Sequence, residues 1–244
     1  MRIENKGGLA RCVLAMSAAV LMWNAQATTP MPKQTATGTP DRLTGADALR
    51  AFSRCDASFF RVLASNPKAL GDGIDVRPNG QVASPVVVDF LSEDGQVQHF
   101  ARPLEVEGLK LVSWHNEVDF VEDEGAFLYW GFDIEAPLEK VAATINGLLP
   151  ADGQLSKERG GYWTRVEHRI AGDSLDLWRK GASPNGATSP IDFVQRVLLV
   201  EPNDDQAGHT KLYCGLQGPL TNPLVRIARP DLPDTFNVER GASK

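Results

Sequence analysis

The chain has 244 residues, 42% of them hydrophobic, and carries a formal net charge of −6 at pH 7. This length and apolar content allow a substantial hydrophobic core. The acidic balance argues against nucleic-acid binding, because phosphate contacts need clustered Lys and Arg, so no nucleic-acid partner is expected.

The first 27 residues have the pattern of a secretory signal peptide. Three basic residues precede an apolar run over residues 13–22, and an Ala-Gln-Ala sequence supplies a small-residue cleavage site. The apolar run is about ten residues, shorter than the roughly 20 that a membrane-spanning helix needs, so we expect no membrane span. Residues 28–43 are rich in Thr and Pro and are predicted to be a flexible linker. The protein is therefore predicted to be periplasmic or secreted.

Cleavage at this site would remove Cys12 and leave two cysteines, Cys55 and Cys214. An even pair in an oxidising compartment predicts a disulfide bond. Two buried free thiols are the alternative. A redox role is less favoured because the chain contains no C-x-x-C sequence.

From residue 44 onward, a helical pattern followed by four β-rich runs occurs twice. Apolar residues at three- and four-residue spacing predict helices over 44–66 and 137–149, and turn residues separate the β-rich runs. The pattern predicts an α+β fold of two tandem helix-plus-four-strand units, with both helices on one face of an antiparallel sheet. The first unit spans 44–136 and the second 137–220, and 221–244 is interpreted as a C-terminal tail.

A short sequence echo supports an internal duplication. Leu-Tyr-Trp-Gly at 128–131 is followed 84 positions later by Leu-Tyr-Cys-Gly at 212–215. Chance and convergent strand-end chemistry are alternative origins. The duplicated plan resembles that of the secreted β-lactamase inhibitor proteins, which bind an enzyme through an aromatic-rich concave sheet. The resemblance is one of architecture, and it implies a non-enzymatic binding role. Those inhibitors are expected to have a disulfide in each unit, whereas this chain has a single pair of cysteines.

Strand alternation collects aromatic and basic side chains on the face that the helices leave uncovered. The predicted binding residues are Tyr129, Trp163, Arg165, Trp178 and Tyr213. Tyr, Trp and Arg are enriched at interfaces, so this face is predicted to bind a protein or a saccharide-like envelope ligand. The alternative is that these residues stabilise the sheet as cross-strand neighbours. A one-residue shift in register would exchange the two faces.

Patterns for catalysis and metal binding are weak. The four histidines form no H-x-H or H-E-x-x-H spacing and no G-x-S-x-G is present, so no metal or cofactor is expected. His115 and Glu117 are the acid/base pair that alternation places on one face. The preferred prediction is an exported, non-enzymatic binding module, such as an inhibitor or accessory protein of the cell envelope. The alternatives are an envelope hydrolase that uses His115 and Glu117, and a structural envelope protein without activity.

Overall fold

The computed structural model describes residues 43–87, 89, 91, 96–182 and 192–241. The predicted signal peptide and nearly all of the predicted linker lie outside this range. Asp41–Lys244 forms one compact unit. Within the described residues, no helix combines the length and the apolar character needed to cross a membrane.

The first helical segment consists of two short helices. α1 (Gly45–Phe52) begins with a capping box in which the side chains of Thr44 and Asp47 each accept a hydrogen bond from the other residue's backbone. α2 (Ser58–Ser65) follows after a break. Cys55 lies in that break with a φ of 54°, a left-handed conformation that cannot continue a right-handed helix. The single helix predicted over 44–66 is therefore wrong at its centre.

The remaining helices and strands follow in chain order. The strands are β1 (Val76–Asn79), β2 (Val82–Pro85), β3 (Gln96–Val106), β4 (Leu109–Val121), β5 (Gly125–Ile134), β6 (Ser156–Lys157), β7 (Trp163–Ile170), β8 (Arg179–Lys180), β9 (Phe193–Pro202) and β10 (Thr210–Gly218). The helices are α3 (Leu138–Leu148), a single 3₁₀ turn (Ala151–Gly153), α4 (Asn222–Ala228) and α5 (Val238–Gly241). The second predicted helix agrees with α3 to within about one residue at each end.

One antiparallel sheet contains most of the strands. Its order is β3-β4-β5-β10-β9-β7-β6, with β8 paired to β7, and β1 and β2 form a separate hairpin. Each of these pairs is antiparallel. The prediction of a mixed α+β fold with an antiparallel sheet is confirmed. At the centre of the sheet, β5 pairs with β10, a strand that follows it by more than 70 residues in the chain.

The two faces of the central strands differ in chemistry. The face that we call the disulfide face contains Trp130, Leu212, Cys214 and Leu216, all of which are buried. The opposite face, which we call the tyrosine face, contains Tyr129, Gly131, Tyr213 and Gly215. Residues paired across β10 and β5 share a face: Cys214 pairs with Trp130, and Gly215 pairs with Tyr129. Side chains alternate between faces along each strand, which gives these two sets.

The disulfide face contacts α1 and α2 through an aromatic cluster and a disulfide bond. The rings of Phe52 and Phe59 both contact those of Trp114 and Phe132, with centroid separations of 5.2–6.1 Å. Cys55 and Cys214 form a disulfide with an S–S distance of 2.06 Å, which confirms the predicted pairing. The break between α1 and α2 thus anchors both helices to the central strand β10.

The segment interpreted as a C-terminal tail packs against the core. It contains α4 and α5, and the side chains that it contributes to the core are Leu224, Val225, Ala228, Leu232, Phe236 and Val238. Arg229, the C-cap residue that follows α4, is only 2% exposed. The described part of this segment therefore belongs to the folded unit.

Candidate functional site

The two echoed sequences meet at the centre of the tyrosine face. In the antiparallel register, Tyr213 lies opposite Gly131 and Tyr129 lies opposite Gly215. A Cβ added at Gly131 would lie 2.7 Å from Cδ1 of Tyr213, and one at Gly215 would lie 2.8 Å from Cε1 of Tyr129. Each tyrosine ring therefore lies across the backbone of the glycine in the other strand, a cross-strand pairing that shields glycine in sheets. Each of the two Leu-Tyr-x-Gly sequences therefore supplies the tyrosine of one cross-strand pair and the glycine of the other pair.

A chain of side-chain hydrogen bonds fixes the phenol of Tyr129. Its hydroxyl donates to Oε1 of Gln217 over 2.9 Å, and Nε2 of Gln217 donates to Oε1 of Gln195 over 2.8 Å. Burial, together with the negative charges of Glu117 and Glu201, raises the pKa of Tyr129 to about 12. The phenol therefore stays protonated near neutral pH.

His115 lies beside the second tyrosine. Its ring centroid is 5.7 Å from that of Tyr213, and its Nε2 is 3.0 Å from Oγ of Ser113. Burial lowers the pKa of His115 from 6.5 to about 4, so the imidazole is neutral near pH 7. Ser113 is only 1% exposed, which keeps its hydroxyl away from any large substrate.

A second polar cluster ties the turn between β9 and β10 to the same face. The carboxylate of Asp133 accepts a hydrogen bond from Nδ2 of Asn203 over 3.1 Å and lies 2.9 Å from Nδ1 of His209. Asp133 is opposite Ser113 in the register of β4 and β5. Asp133, Asn203 and His209 are not among the site residues predicted from the sequence. Asn203 and His209 follow Asp133 by 70 and 76 positions in the chain, so no local sequence spacing links them to it.

The tyrosine face is acidic around its aromatic centre. Glu117 lies opposite Tyr129, and Glu201 lies opposite Lys211. Burial raises the pKa of Glu201. Nζ of Lys211 is 5.9 Å from the centroid of the Tyr213 ring, within the range of a cation–π contact.

Groups with pKa values shifted by burial are concentrated on this face. Burial lowers the pKa of His115 and raises those of Tyr129, Glu201 and Tyr213. Such clusters of perturbed groups are typical of functional sites. We therefore take the tyrosine face as the candidate functional site. His115 and Glu117 both belong to it, as strand alternation predicts.

Three of the five predicted binding residues lie on the disulfide face instead. Arg165 pairs with Leu198 of β9, and Leu198 pairs with Cys214 of β10, so Arg165 is on the disulfide face. Trp163 lies two residues before Arg165 in β7 and therefore has its side chain on the same face. Nη2 of Arg165 donates to the backbone carbonyl of Ser53 over 2.6 Å. The predicted placement of Trp163 and Arg165 is thus corrected, because the register of β7 is shifted by one residue from the one assumed. A role for them in binding stays a prediction.

Trp178 also lies on the disulfide side of the sheet. The guanidinium carbon of Arg196 is 4.4 Å from the centre of the Trp178 ring, and Arg196 pairs in register with Leu216 of the disulfide face. Arg196 also forms an ion pair with Glu167 over 2.8 Å. The structure therefore separates Tyr129 and Tyr213 from Trp163, Arg165 and Trp178.

Comparisons with protein-family models, with curated proteins and with solved structures found no match. In the part of the chain that the structure describes, no group of three or more His, Cys, Asp or Glu side chains is arranged to hold a metal ion. The geometry and charge of the tyrosine face are the features that bear on function.

Proposed function

We propose that the protein is an exported, non-enzymatic binding module that recognises another envelope protein through the tyrosine face. The observation that carries the proposal is the pair of tyrosine rings, each held across a glycine at the centre of the sheet. Rings ordered by the fold lose little further freedom on binding, which favours affinity. Tyr129 is partly exposed and offers apolar area to a partner, whereas Tyr213 is only 8% exposed and supports the centre of the face.

The charge of the face favours a basic partner. Glu117, Asp119 and Glu201 are carboxylates on the tyrosine face, and the overall chain is acidic. A Lys or Arg side chain from a partner would pair with these carboxylates and contact a tyrosine ring. The ammonium of Lys211, 5.9 Å from the centroid of the Tyr213 ring, is an example of such a contact within this face.

The proposal includes the tandem arrangement of two helix-plus-strand units, 44–136 and 137–220, with the helices on one face. Supporting it, β3-β4-β5 and β10-β9-β7 extend in opposite directions from the central pair β5–β10. The rings of Phe52 and Phe59 pack on the disulfide face, and α3 contacts both α1 and β10. With helices on that side, the tyrosine face is the surface left for a partner.

Export is supported by two features of different kinds. The sequence begins with the pattern of a secretory signal peptide, and the folded unit contains a disulfide between Cys55 and Cys214. Disulfides persist in oxidising compartments such as the periplasm and the extracellular space.

The test is affinity capture from envelope extract, with the protein lacking residues 1–27 as bait and the captured protein then titrated in purified form. Glu117→Gln should weaken its binding at least tenfold. Glu139→Gln, the same substitution at an exposed position of α3, should leave binding unchanged. Binding should also weaken with added salt, because the interaction is electrostatic.

Equal affinities for the two Gln variants would contradict the proposed interface. Retention of the bait by purified envelope polysaccharide, with no protein captured, would assign the face to a saccharide ligand instead. In either case thermal melting of each variant checks that the fold is intact.

A hydrolase remains the second candidate because of one observation. Neutral His115 is hydrogen-bonded to Ser113, which is the geometry of a nucleophile next to a general base. Against this, Ser113 is buried and the Asp133 carboxylate is hydrogen-bonded to Asn203 and lies beside His209. Turnover in a panel of ester, amide and glycoside substrates that His115→Ala abolishes would establish the enzymatic alternative.

A further inference from the structure

Beyond the two tyrosines, the tyrosine face continues as an apolar patch over β9 and β7. Val197 pairs with Gly215, and Val166 pairs with Val197 in the next strand. A Cβ added at Gly215 would lie 2.8 Å from Cε1 of Tyr129 and 3.8 Å from Cβ of Val197, so the ring and the valine flank the glycine backbone. Leu199 lies two residues further along β9 on the same face. We call Tyr129, Val166, Val197 and Leu199 the valine patch.

The valine patch is open to solvent and is separate from the hydrophobic core. Each of its four side chains is partly exposed. In the described part of the chain, none of them belongs to the core or to the half-buried side chains that pack against it. A sheet normally buries an apolar face against another layer, and exposed apolar patches mark sites of interaction. The patch therefore has the character of a contact surface.

Carboxylates border the valine patch. Glu117 is exposed and pairs with Tyr129 on the β4 side of the patch, and Asp119, which is also exposed, follows it by two residues on the same face. Glu201 lies on β9 beyond the patch, and its charge is offset by Lys211, its partner in register. The β4 side of the patch is therefore left negative. A complementary surface would combine apolar side chains with Lys or Arg along one margin.

The position of the patch limits the kind of protein segment that can cover it. The patch spans the interior strands β5, β10, β9 and β7, since β3 and β4 lie beyond β5, and β6 and β8 pair with β7. A partner strand that pairs through its backbone needs a sheet edge, and a polyproline segment needs an aromatic groove. Three of the four patch side chains are aliphatic, so neither mode fits.

An amphipathic helix meets these conditions, because it binds through an apolar stripe and needs no sheet edge. Its diameter of about 10 Å compares with roughly 14 Å for the three strand spacings from β5 to β7. An anionic membrane and a second copy of this chain are both disfavoured, because each would place negative charge against the carboxylates of the face.

We propose that the valine patch is the docking site for an amphipathic helix of the partner protein. The apolar stripe of the helix packs on the patch, and Lys or Arg side chains along one margin of the helix pair with Glu117 and Asp119. This inference rests on the proposed function, because it names the element through which the partner binds the tyrosine face.

The test is calorimetric titration of the intact protein with three peptides of about 14 residues, or four helical turns. The first contains Leu and Lys, with the leucines at helical spacing on one side. The second has the same composition, with the leucines distributed around the helix, and the third has Glu in place of each Lys of the first. We expect the first peptide to bind at least tenfold more tightly than either of the others. Added salt should weaken its binding.

Matched valine variants locate the contact. The double variant Val166→Thr/Val197→Thr keeps both side chains β-branched and adds a hydroxyl group to each, so it should weaken binding of the first peptide at least fivefold. Val97→Thr makes the same change in β3, outside the patch, where the valine is 40% exposed, and should bind like the wild type. Leu199→Lys places a like charge in the patch and should weaken binding at least tenfold. Thermal melting without peptide checks the fold of each variant.

Several outcomes would overturn the inference. They are no binding of the first peptide up to about 1 mM, equal binding of the first and second peptides, and equal effects of the double variant and Val97→Thr. Flotation of the protein with anionic lipid vesicles, lost in the double variant, would assign the patch to a membrane instead. The proposed function is tested separately, because Glu117→Gln can weaken binding of the captured protein even where the peptides do not bind.

Discussion

Tyr213 lies across the backbone of Gly131, with its Cδ1 2.7 Å from the position that a Cβ would occupy there. The same Cβ would lie 2.0 Å from the backbone oxygen of Leu212, which is too close for any side chain. Gly131→Ala should therefore force β5 and β10 apart and destabilise the fold by about 3 kcal/mol, the upper range for overpacked sites. Urea unfolding followed by far-UV circular dichroism measures this change.

Gly147 provides the matched control. It lies in α3, and a Cβ added there would meet no atom within 4 Å. Gly147→Ala should stabilise the protein by about 0.5–1 kcal/mol, because alanine favours the helix and restricts the unfolded chain. If the two glycine variants shift the unfolding midpoint alike, the close approach at Gly131 does not limit substitution.

The disulfide should be a large contributor to stability. It links residues 159 positions apart, and closing a loop of this length restricts the unfolded chain by up to about 5 kcal/mol in the chain-entropy model. We expect the double variant Cys55→Ala/Cys214→Ala to lose about 3–5 kcal/mol of unfolding free energy. Reduction of the wild type should reproduce most of this loss. A reduced wild-type protein as stable as the oxidised form would contradict the prediction.

Asp231 should be needed to offset the charge of Arg229, because that charge is buried. The Arg229 side chain is 2% exposed and that of Asp231 is 4% exposed. Asp231→Ala leaves the guanidinium without its counter-charge and should cost about 3–5 kcal/mol. The double variant Arg229→Met/Asp231→Leu should recover much of this loss, since it removes both buried charges. A double variant less stable than Asp231→Ala would show that the contacts of Arg229 with Trp130 and Asn116 dominate.

Stability should depend on pH through His115. Burial lowers its pKa in the folded protein from 6.5 to about 4, so between these values the unfolded chain binds a proton that the folded protein does not. The contribution of neutral His115 is therefore fully present above about pH 6.5 and decreases as the pH falls towards about 4.

The variant His115→Gln isolates this effect from the titration of carboxylates. The difference in unfolding free energy between wild type and variant should change over this pH interval and be constant from pH 7 to 8. Urea unfolding at a series of pH values provides the measurement. A difference that is constant across the whole interval would mean that His115 titrates normally in the folded protein.

Features that depend on local pattern were predictable from the sequence. The periodicity of α3, the long β-rich runs of β4, β5, β9 and β10, and the pairing of the two remaining cysteines all appear in the structure. The break at Cys55 was missed because the apolar spacing of the segment continues through it. Only the left-handed backbone at that residue reveals two helices.

The register of β7 was not predictable, and this affected the candidate site. Both faces of the strand are mixed, since Trp163, Arg165 and Glu167 alternate with Thr164, Val166 and His168. The prediction placed Trp163 and Arg165 on the uncovered face. Pairing with β9 instead places their neighbour Val166 on the side of Gly215, so both residues lie on the opposite side. A strand with two mixed faces specifies its register only weakly.

The central position of the β5–β10 pair also governs the order in which the fold can form. During synthesis, β5 emerges long before β10, and one edge of β5 remains unpaired until Thr210–Gly218 is present. Cys214, the partner of Cys55, arrives with the same strand. Contacts so distant in sequence slow folding. The late arrival of β10 therefore delays completion of the native sheet until residue 218 has been synthesised.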